Sequence, residues 1–271
     1  MRKILSLFSI FRLHNIAAAV MAVAAGFSIG GGELFPLMLL TAVGLTTAAG
    51  NVINDYYDID IDRVNRPNRP LPSGILSRRQ ALYLYVILLA FLSFILTDFK
   101  QEVVIWIIIW VVLLHLYSGI FKRRYMIGNF VVSSVTGSGF LLGSYCGGNI
   151  EAGVIPSLFA FLFIFGREIV KDCEDIEGDY FFGSKTIAII IGKKKAMRIA
   201  AVIFLLLIIS FPIPFFTGIY TKVYLFIISF SIIPILILSF LLAYRAKRPG
   251  LISLLLKIGL FFGIIAFYYA V

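Results

Sequence analysis

The stretch LMLLTAVGLTTAAGNVINDYYDIDID, residues 37–62, begins as an apolar run and ends among four aspartates, Asp55, Asp58, Asp60 and Asp62. The apolar part approaches the roughly 20 residues that a helix needs to cross a bilayer. Acids where such a run meets the membrane face are costly and rare, so this cluster calls for a purpose. At about 100° per residue, Asn51, Asn54, Asp55, Asp58 and Asp62 share one arc of a helix, and Asp60 falls outside it.

Similar apolar runs recur outward from this one, near residues 13–30, 34–57, 80–97, 103–120, 128–147, 154–172, 199–217, 222–243 and 250–270. The chain has 271 residues, 61% hydrophobic and 14% charged, too little polar surface for a soluble globule of that size. The reading is an all-α membrane protein, a single domain over 1–271 with about nine transmembrane helices in a bundle. Pro212, Pro214 and Pro234 interrupt the seventh and eighth runs, which spanning helices tolerate when neighbours satisfy the freed carbonyls. Arg2 and Lys3 precede the first run as in a signal peptide, but further spans follow at once, so it is read as helix one. Cys146 and Cys173 lie in or beside spans and form no disulfide framework.

Of the 24 Lys and Arg residues, only Lys100 and Lys222 fall in the short loops after odd-numbered helices. By the positive-inside rule the N-terminus and the loops after even-numbered helices are cytoplasmic, in a multi-pass protein of the cell membrane. The net charge of +10 then needs no nucleic acid to explain it; it sets topology and attracts anionic substrates and headgroups of membrane lipids.

Ten of the 14 acids fall in two clusters, at the cytoplasmic ends of helices two and six. The second cluster holds Glu168, Asp172, Glu174, Asp175, Glu177 and Asp179. Asp55, Asp58 and Asp62 map onto Asp172, Asp175 and Asp179 by a displacement of 117 residues. Two four-helix pseudo-repeats, with helix nine appended, would produce this, and repeats of that kind place a shared site at their interface. On helix six, Glu168, Lys171, Asp172, Asp175 and Asp179 also share a face. If the two faces meet, their carboxylates repel unless a divalent cation relieves them. Oxygen donors from Asp and Asn suit Mg²⁺, which shares its shell with waters and substrate phosphates. Metal binding is thus expected of Asp58, Asp62, Asp175 and Asp179, and plain salt bridges of Asp60, Glu174 and Glu177.

These residues resemble the UbiA superfamily of intramembrane prenyltransferases. Its NDxxDxxxD motif reads here Asn54-Asp55-Tyr56-Tyr57-Asp58-Ile59-Asp60-Ile61-Asp62, followed by a basic, proline-rich continuation from Arg63 to Gly74. Its DxxxD motif reads Asp175 to Asp179. The resemblance implies Asn54, Asp58, Asp62, Asp175 and Asp179 as ligands of Mg²⁺ and diphosphate, with Asp55 and Asp172 beside them. It implies Lys122 as a diphosphate contact, with Arg66 and Arg12 as further candidates. The segments Gly166–Asp172 and Gly183–Thr186 are similar to archaeal digeranylgeranylglyceryl phosphate synthases. The implied reaction is Mg²⁺-dependent transfer of a geranylgeranyl group from geranylgeranyl diphosphate to geranylgeranylglyceryl phosphate, a lipid acceptor of ether-lipid synthesis.

Two other functions compete. An aromatic acceptor would keep the chemistry and give a quinone-type precursor. A cation-coupled transporter would use the acids as a transport site, but such sites tend to lie near the midplane and these acids sit at one face beside basic loops. Gly137, Gly139, Gly143, Gly147 and Gly148 predict close approach of helix five to a neighbour. Gly30, Gly31 and Gly32 predict an outer turn, and His14 and His115 are read as satisfied or interfacial side chains.

Overall fold

A computed structural model describes residues 9–34 and 36–271; Arg2 and Lys3 lie outside them. Among the described residues the structure is helical and has no strand. Nine long helices follow one another among the described residues: α1 (Leu13–Ile29), α2 (Leu37–Asn65), α3 (Arg78–Leu96), α4 (Gln101–Gly119) and α5 (Ile127–Gly147) come first. Then come α6 (Val154–Glu174), α7 (Lys193–Ser210), α8 (Lys222–Tyr244) and α9 (Pro249–Tyr268). Seven of these are long and apolar enough to cross a membrane. Helix α1 is shorter, and α5 is diluted by Asn129, several serines and its glycines.

Helix ends depart from the apolar runs where backbone signals overrule hydropathy. The acid-bearing end of α2 stays helical to Asn65, eight residues past the expected end of the run. It stops at Arg66, where Pro67 disfavours a further helical residue. Helix α3 starts from a capping box in which Ser77 and Gln80 satisfy each other's backbone N–H. Helix α7 starts at Lys193, six residues ahead of its apolar run, directly after Gly192 at φ +84°. A π-helical turn at Ile228–Ile232 precedes Pro234 in α8, widening the helix where the proline ring would press on the carbonyl one turn back.

The chain forms two compact units. One comprises Met1–Val20 and Pro36–Arg123. In it α2 packs on α3 and α4 around Val52, Ile53, Ile59, Ala81 and Tyr85. The connection after α2 turns back through bonds from Arg69 N to Arg66 O (3.1 Å) and from Leu76 N to Pro70 O (3.0 Å). Leu71 and Leu76 thereby join the same core, which holds the acid end of α2 under a fixed loop.

The other unit comprises Met21–Phe35 and Arg124–Val271. Here α5 packs on α6, α6 on α7 and α9, and α7 on α8. The second half of α1 meets α5 through glycines. A Cβ at Gly26 would lie 2.3 Å from the Phe140 carbonyl oxygen, and one at Gly30 2.5 Å from that of Ser144. In return, a Cβ at Gly143 would lie 2.1 Å from the Val23 carbonyl oxygen, and one at Gly147 2.4 Å from that of Phe27. Displacement by 117 residues exchanges Gly26 with Gly143, Gly30 with Gly147, Val23 with Phe140 and Phe27 with Ser144, so the contact is reciprocal and supports the repeat. Close approach through helix five is thus present. Gly137 adds a contact with α6, whereas Gly139 has room for a methyl group. Gly30 and Gly31 form the expected turn, and Gly30 is also pressed against α5.

Candidate active site

Helix α2 buries Asn51, Asn54, Asp55, Asp58 and Asp62 and exposes Asp60, as the shared arc requires. Asp60 pairs with exposed Arg63 at 3.0 Å, the salt bridge expected of it. The buried acids are paired as well. Asp55 accepts from Arg12 and, at 3.3 Å, from Arg69. Asp62 accepts from Arg69, and Asp58 from Lys122. The Lys122 ammonium also lies 3.4 Å from Asn54 Oδ1, while Asn54 Nδ2 donates to Asp58 Oδ2 at 2.9 Å.

Local structure explains how each cation reaches its place. Arg12 precedes α1 with φ +47°, a left-handed conformation that a non-glycine residue adopts at a cost. Asn51 secures this approach, donating to the Phe11 carbonyl at 2.7 Å and accepting from Asn15 at 3.1 Å. Arg69 hangs from the return loop behind Pro67. Lys122 sits in the single 3-10 turn Phe121–Arg123 after α4, and Arg123 Nη2 donates to the Tyr57 carbonyl at 3.3 Å. Burial opposes the charge of Arg12, but Asp55, Asp58 and Asp62 outweigh it and hold its pKa above the ordinary value. Burial and the neighbouring Arg12 push Arg69 the other way, below its ordinary value. Arg66 caps α2, its backbone N–H donating to the Asp62 carbonyl at 2.8 Å.

Beside this cluster His115 bridges two helices. Its Nε2 lies 3.3 Å from Tyr57 Oη, and its Nδ1 lies 3.2 Å from Tyr85 Oη. It is a satisfied histidine.

In the second unit the acids are arranged differently. Helix α6 ends at Glu174, Asp175 stands at the junction with φ −92° and ψ 10°, and a short helix runs Ile176–Phe181. The expectation of Asp172, Asp175 and Asp179 on one uninterrupted helix is therefore corrected. Five acids between 172 and 179 would repel at i,i+3 and i,i+4 spacing, and the bend relieves part of that. The bond from Asp179 N to Asp175 O, 3.1 Å, still carries the helical connection across the bend. Asp172 accepts from Asn129 Nδ2 on α5 at 2.9 Å. Glu168 accepts from Arg167 at 2.7 Å and faces Lys171 at 3.6 Å.

Two neighbours of the acids escaped the sequence reading. Arg69 looked like one topogenic charge among many; its signal was the proline behind which the chain returns. Asn129 had a stronger signal. The Arg12–Asp55 and Asn129–Asp172 pairs each span 43 residues, and the displacement of 117 carries one onto the other.

Asn54, Asp58 and Asp62 are hard oxygen donors on one helix face. Among the described residues no three His, Cys, Asp or Glu side chains gather closely enough to cage a metal. Hard oxygen donors of this kind fit an ion such as Mg²⁺, which retains waters and is held by one or two carboxylates together with phosphate oxygens.

The model of the UbiA prenyltransferase family matches residues 15–269. The chain belongs to this family. A relative named digeranylgeranylglyceryl phosphate synthase, from Methanosphaera stadtmanae, is 36% identical over 263 residues, 95% of this chain and 96% of the relative. A solved structure concerned with the same synthase has 33% identity and a TM-score of 0.75, covering 100% of this chain and 99% of its own. A UbiA homologue from Archaeoglobus fulgidus, solved with DMAPP and Mg²⁺, shares the fold at a TM-score of 0.69 and 20% identity, covering 95% of this chain and 97% of that one. In this member of the family, basic side chains sit directly on the acids Asp55, Asp58 and Asp62.

Proposed function

We propose that this UbiA-family protein transfers a geranylgeranyl group from geranylgeranyl diphosphate to geranylgeranylglyceryl phosphate, using Mg²⁺. The observation that carries the reading is near-full-length kinship to the archaeal synthases, 36% identity over 95% of the chain, in a protein that buries the first acidic motif beside Arg12, Arg69 and Lys122. Asn54, Asp58 and Asp62 of the first motif and Asp175 and Asp179 of the second are the proposed Mg²⁺–diphosphate ligands. Held by these residues, Mg²⁺ would offset the diphosphate charge and would stabilise the charge that builds on it as the allylic C–O bond breaks.

The chain's own groups do the rest. Lys122 and Arg69 donate to the diphosphate oxygens, and Arg12 and Arg66 supply a positive field around them. Asp55 positions two of these cations, because it touches both Arg12 and Arg69. Asp172, held by Asn129, borders the second ligand set. Apolar helices exclude water from the allylic carbon while it carries positive charge; as diphosphate leaves, the acceptor hydroxyl attacks that carbon and gives its proton to a motif carboxylate not engaged by the metal. The protein works in the cell membrane, with its N-terminus and acidic motifs at the cytoplasmic face. Its partners are the prenyl diphosphate, the lipid acceptor and the surrounding lipids.

The test is transfer of radiolabelled geranylgeranyl diphosphate in detergent with Mg²⁺, offering geranylgeranylglyceryl phosphate or 4-hydroxybenzoate. Product from the glycerophosphate only, lost with EDTA and in Asp58→Ala, is expected. Product from the phenol only would replace the acceptor. No metal-dependent product from either would overturn the reading.

A further inference from the structure

The atoms proposed to hold Mg²⁺ on α2 already hold a cation, and that cation belongs to the protein. Lys122 Nζ pairs with Asp58 and lies 3.4 Å from Asn54 Oδ1, between two of the donors assigned to the metal. Asn54 Nδ2 donates to the same Asp58 at 2.9 Å, so the amide is already turned with its oxygen toward the ammonium. The neighbouring carboxylates are matched in the same way: three acids, Asp55, Asp58 and Asp62, meet three bases, Arg12, Arg69 and Lys122. Each of the three buried carboxylates is thus paired with a base without any ligand.

We infer that Lys122 is a resident counter-ion that keeps the metal seat filled until diphosphate arrives, so that divalent cation and diphosphate bind as a pair and neither binds well alone. The inference rests on the ligand assignment proposed above. Physical reasons support it. A divalent ion entering alone must displace the ammonium and leaves a buried cluster with excess positive charge. Entering with a diphosphate, it brings new acceptors for the displaced ammonium and restores the balance. Lysine suits the exchange, being a compact charge with three donors on a flexible four-carbon stem. Its base does not move with it, because Arg123 ties the 121–123 turn to the Tyr57 carbonyl. Arg69 can repeat the exchange on a smaller scale, retaining Asp55 while Asp62 turns to the metal. A membrane enzyme gains from this pairing, since free cytoplasmic cations cannot lock its acids in an unproductive complex.

The experiment reads metal binding rather than transfer. Mn²⁺ is titrated into detergent-solubilised protein and followed by electron paramagnetic resonance, with and without inorganic pyrophosphate, corrected for the Mn²⁺–pyrophosphate complex formed in solution. In the wild type, pyrophosphate is expected to tighten Mn²⁺ at least ten-fold, with Mn²⁺ tightening pyrophosphate by the same factor, as linkage requires. Lys122→Gln and Lys122→Met are expected to bind Mn²⁺ alone at least five-fold tighter than wild type and to lose most of the coupling. Lys100→Gln, with the same loss of charge on another loop, is expected to match wild type. If both Lys122 variants bind Mn²⁺ alone no tighter than wild type, while wild type binds it with pyrophosphate, the resident counter-ion is overturned and the transfer reaction is untouched. If neither wild type nor variants bind Mn²⁺ under any condition, the ligand assignment falls and the inference with it. Coupling as expected, without transfer to any lipid acceptor, would uphold the exchange and overturn the transferase reading alone.

Discussion

Asp55 sits under two arginines, and Asp55→Asn separates its role from that of a metal ligand. Its side chain is 3% exposed, and those of Arg12 and Arg69 are 18% and 20% exposed. Removing one partner of a buried pair costs about 3–5 kcal/mol, and the partly exposed guanidiniums place this case near the lower end, about 3 kcal/mol. The two arginines do not suffer equally: Arg69 keeps Asp62, whereas Arg12 is paired with Asp55. Arg12→Met is the milder change, because Asp55 still has Arg69 at 3.3 Å; about 1 kcal/mol is expected, near the worth of an ordinary hydrogen bond. The double variant should cost less than the sum, with a coupling of about 1–3 kcal/mol. Thermal unfolding in detergent reads this directly, at roughly 2–4 °C per kcal/mol for a chain of this size, so Asp55→Asn should melt about 6–12 °C below wild type. Equal losses in Asp55→Asn and Arg12→Met, or strictly additive losses in the double variant, would refute the shared-carboxylate arrangement.

Other perturbations test the packing around the site. Gly143→Ala would place a Cβ 2.1 Å from the Val23 carbonyl and should cost about 1–3 kcal/mol, as overpacking does. Gly44→Ala meets only Ile16 at 3.6 Å and Val20 at 3.8 Å, and should leave the melting midpoint unchanged or raise it, by up to about 1 kcal/mol of helix propensity. His115→Phe strips the Tyr57 and Tyr85 hydroxyls of a shared partner and should lower the midpoint by about 1–3 kcal/mol of stability, part of which Tyr85→Phe in the same chain restores. Recovery absent from that double variant would show that the bridge carries no stability.

Much of this was legible in the linear chain, for identifiable reasons. Hydropathy places the nine helices because lipid tolerates only apolar surface, and the buried arc of α2 follows from helix geometry alone. Hydropathy fails where the backbone continues without it: the acid end of α2 is polar yet helical, and Lys193–Lys195 open α7. The bend at Asp175 was hidden because helical spacing is preserved on paper even where like charges strain it. Contacts between distant segments left no local mark. Lys122 meets Asn54 across 68 residues, which hydropathy and helix spacing do not announce; only the family resemblance set both at the diphosphate. The partner of Asp172 could have been read, since the displacement of 117 points from Arg12 to residue 129 and finds an asparagine.

The reciprocal glycine contact also sorts the duplicated positions by their freedom to diverge. A side chain at Gly26 or Gly30 would meet the Phe140 or Ser144 carbonyl, and one at Gly143 or Gly147 the Val23 or Phe27 carbonyl, so neither copy can change alone without parting the helices. The aspartates at 55, 58 and 62 are likewise matched at 172, 175 and 179. Elsewhere the copies have drifted apart: Arg12 answers to Asn129, Asn51 to Glu168 and Asn54 to Lys171. The shared constraint is mechanical and lies in backbone that carries no chemistry. The differences are electrostatic and lie beside the acids. A chain built this way can give its two carboxylate sets different partners while the helices that tie the copies together stay alike.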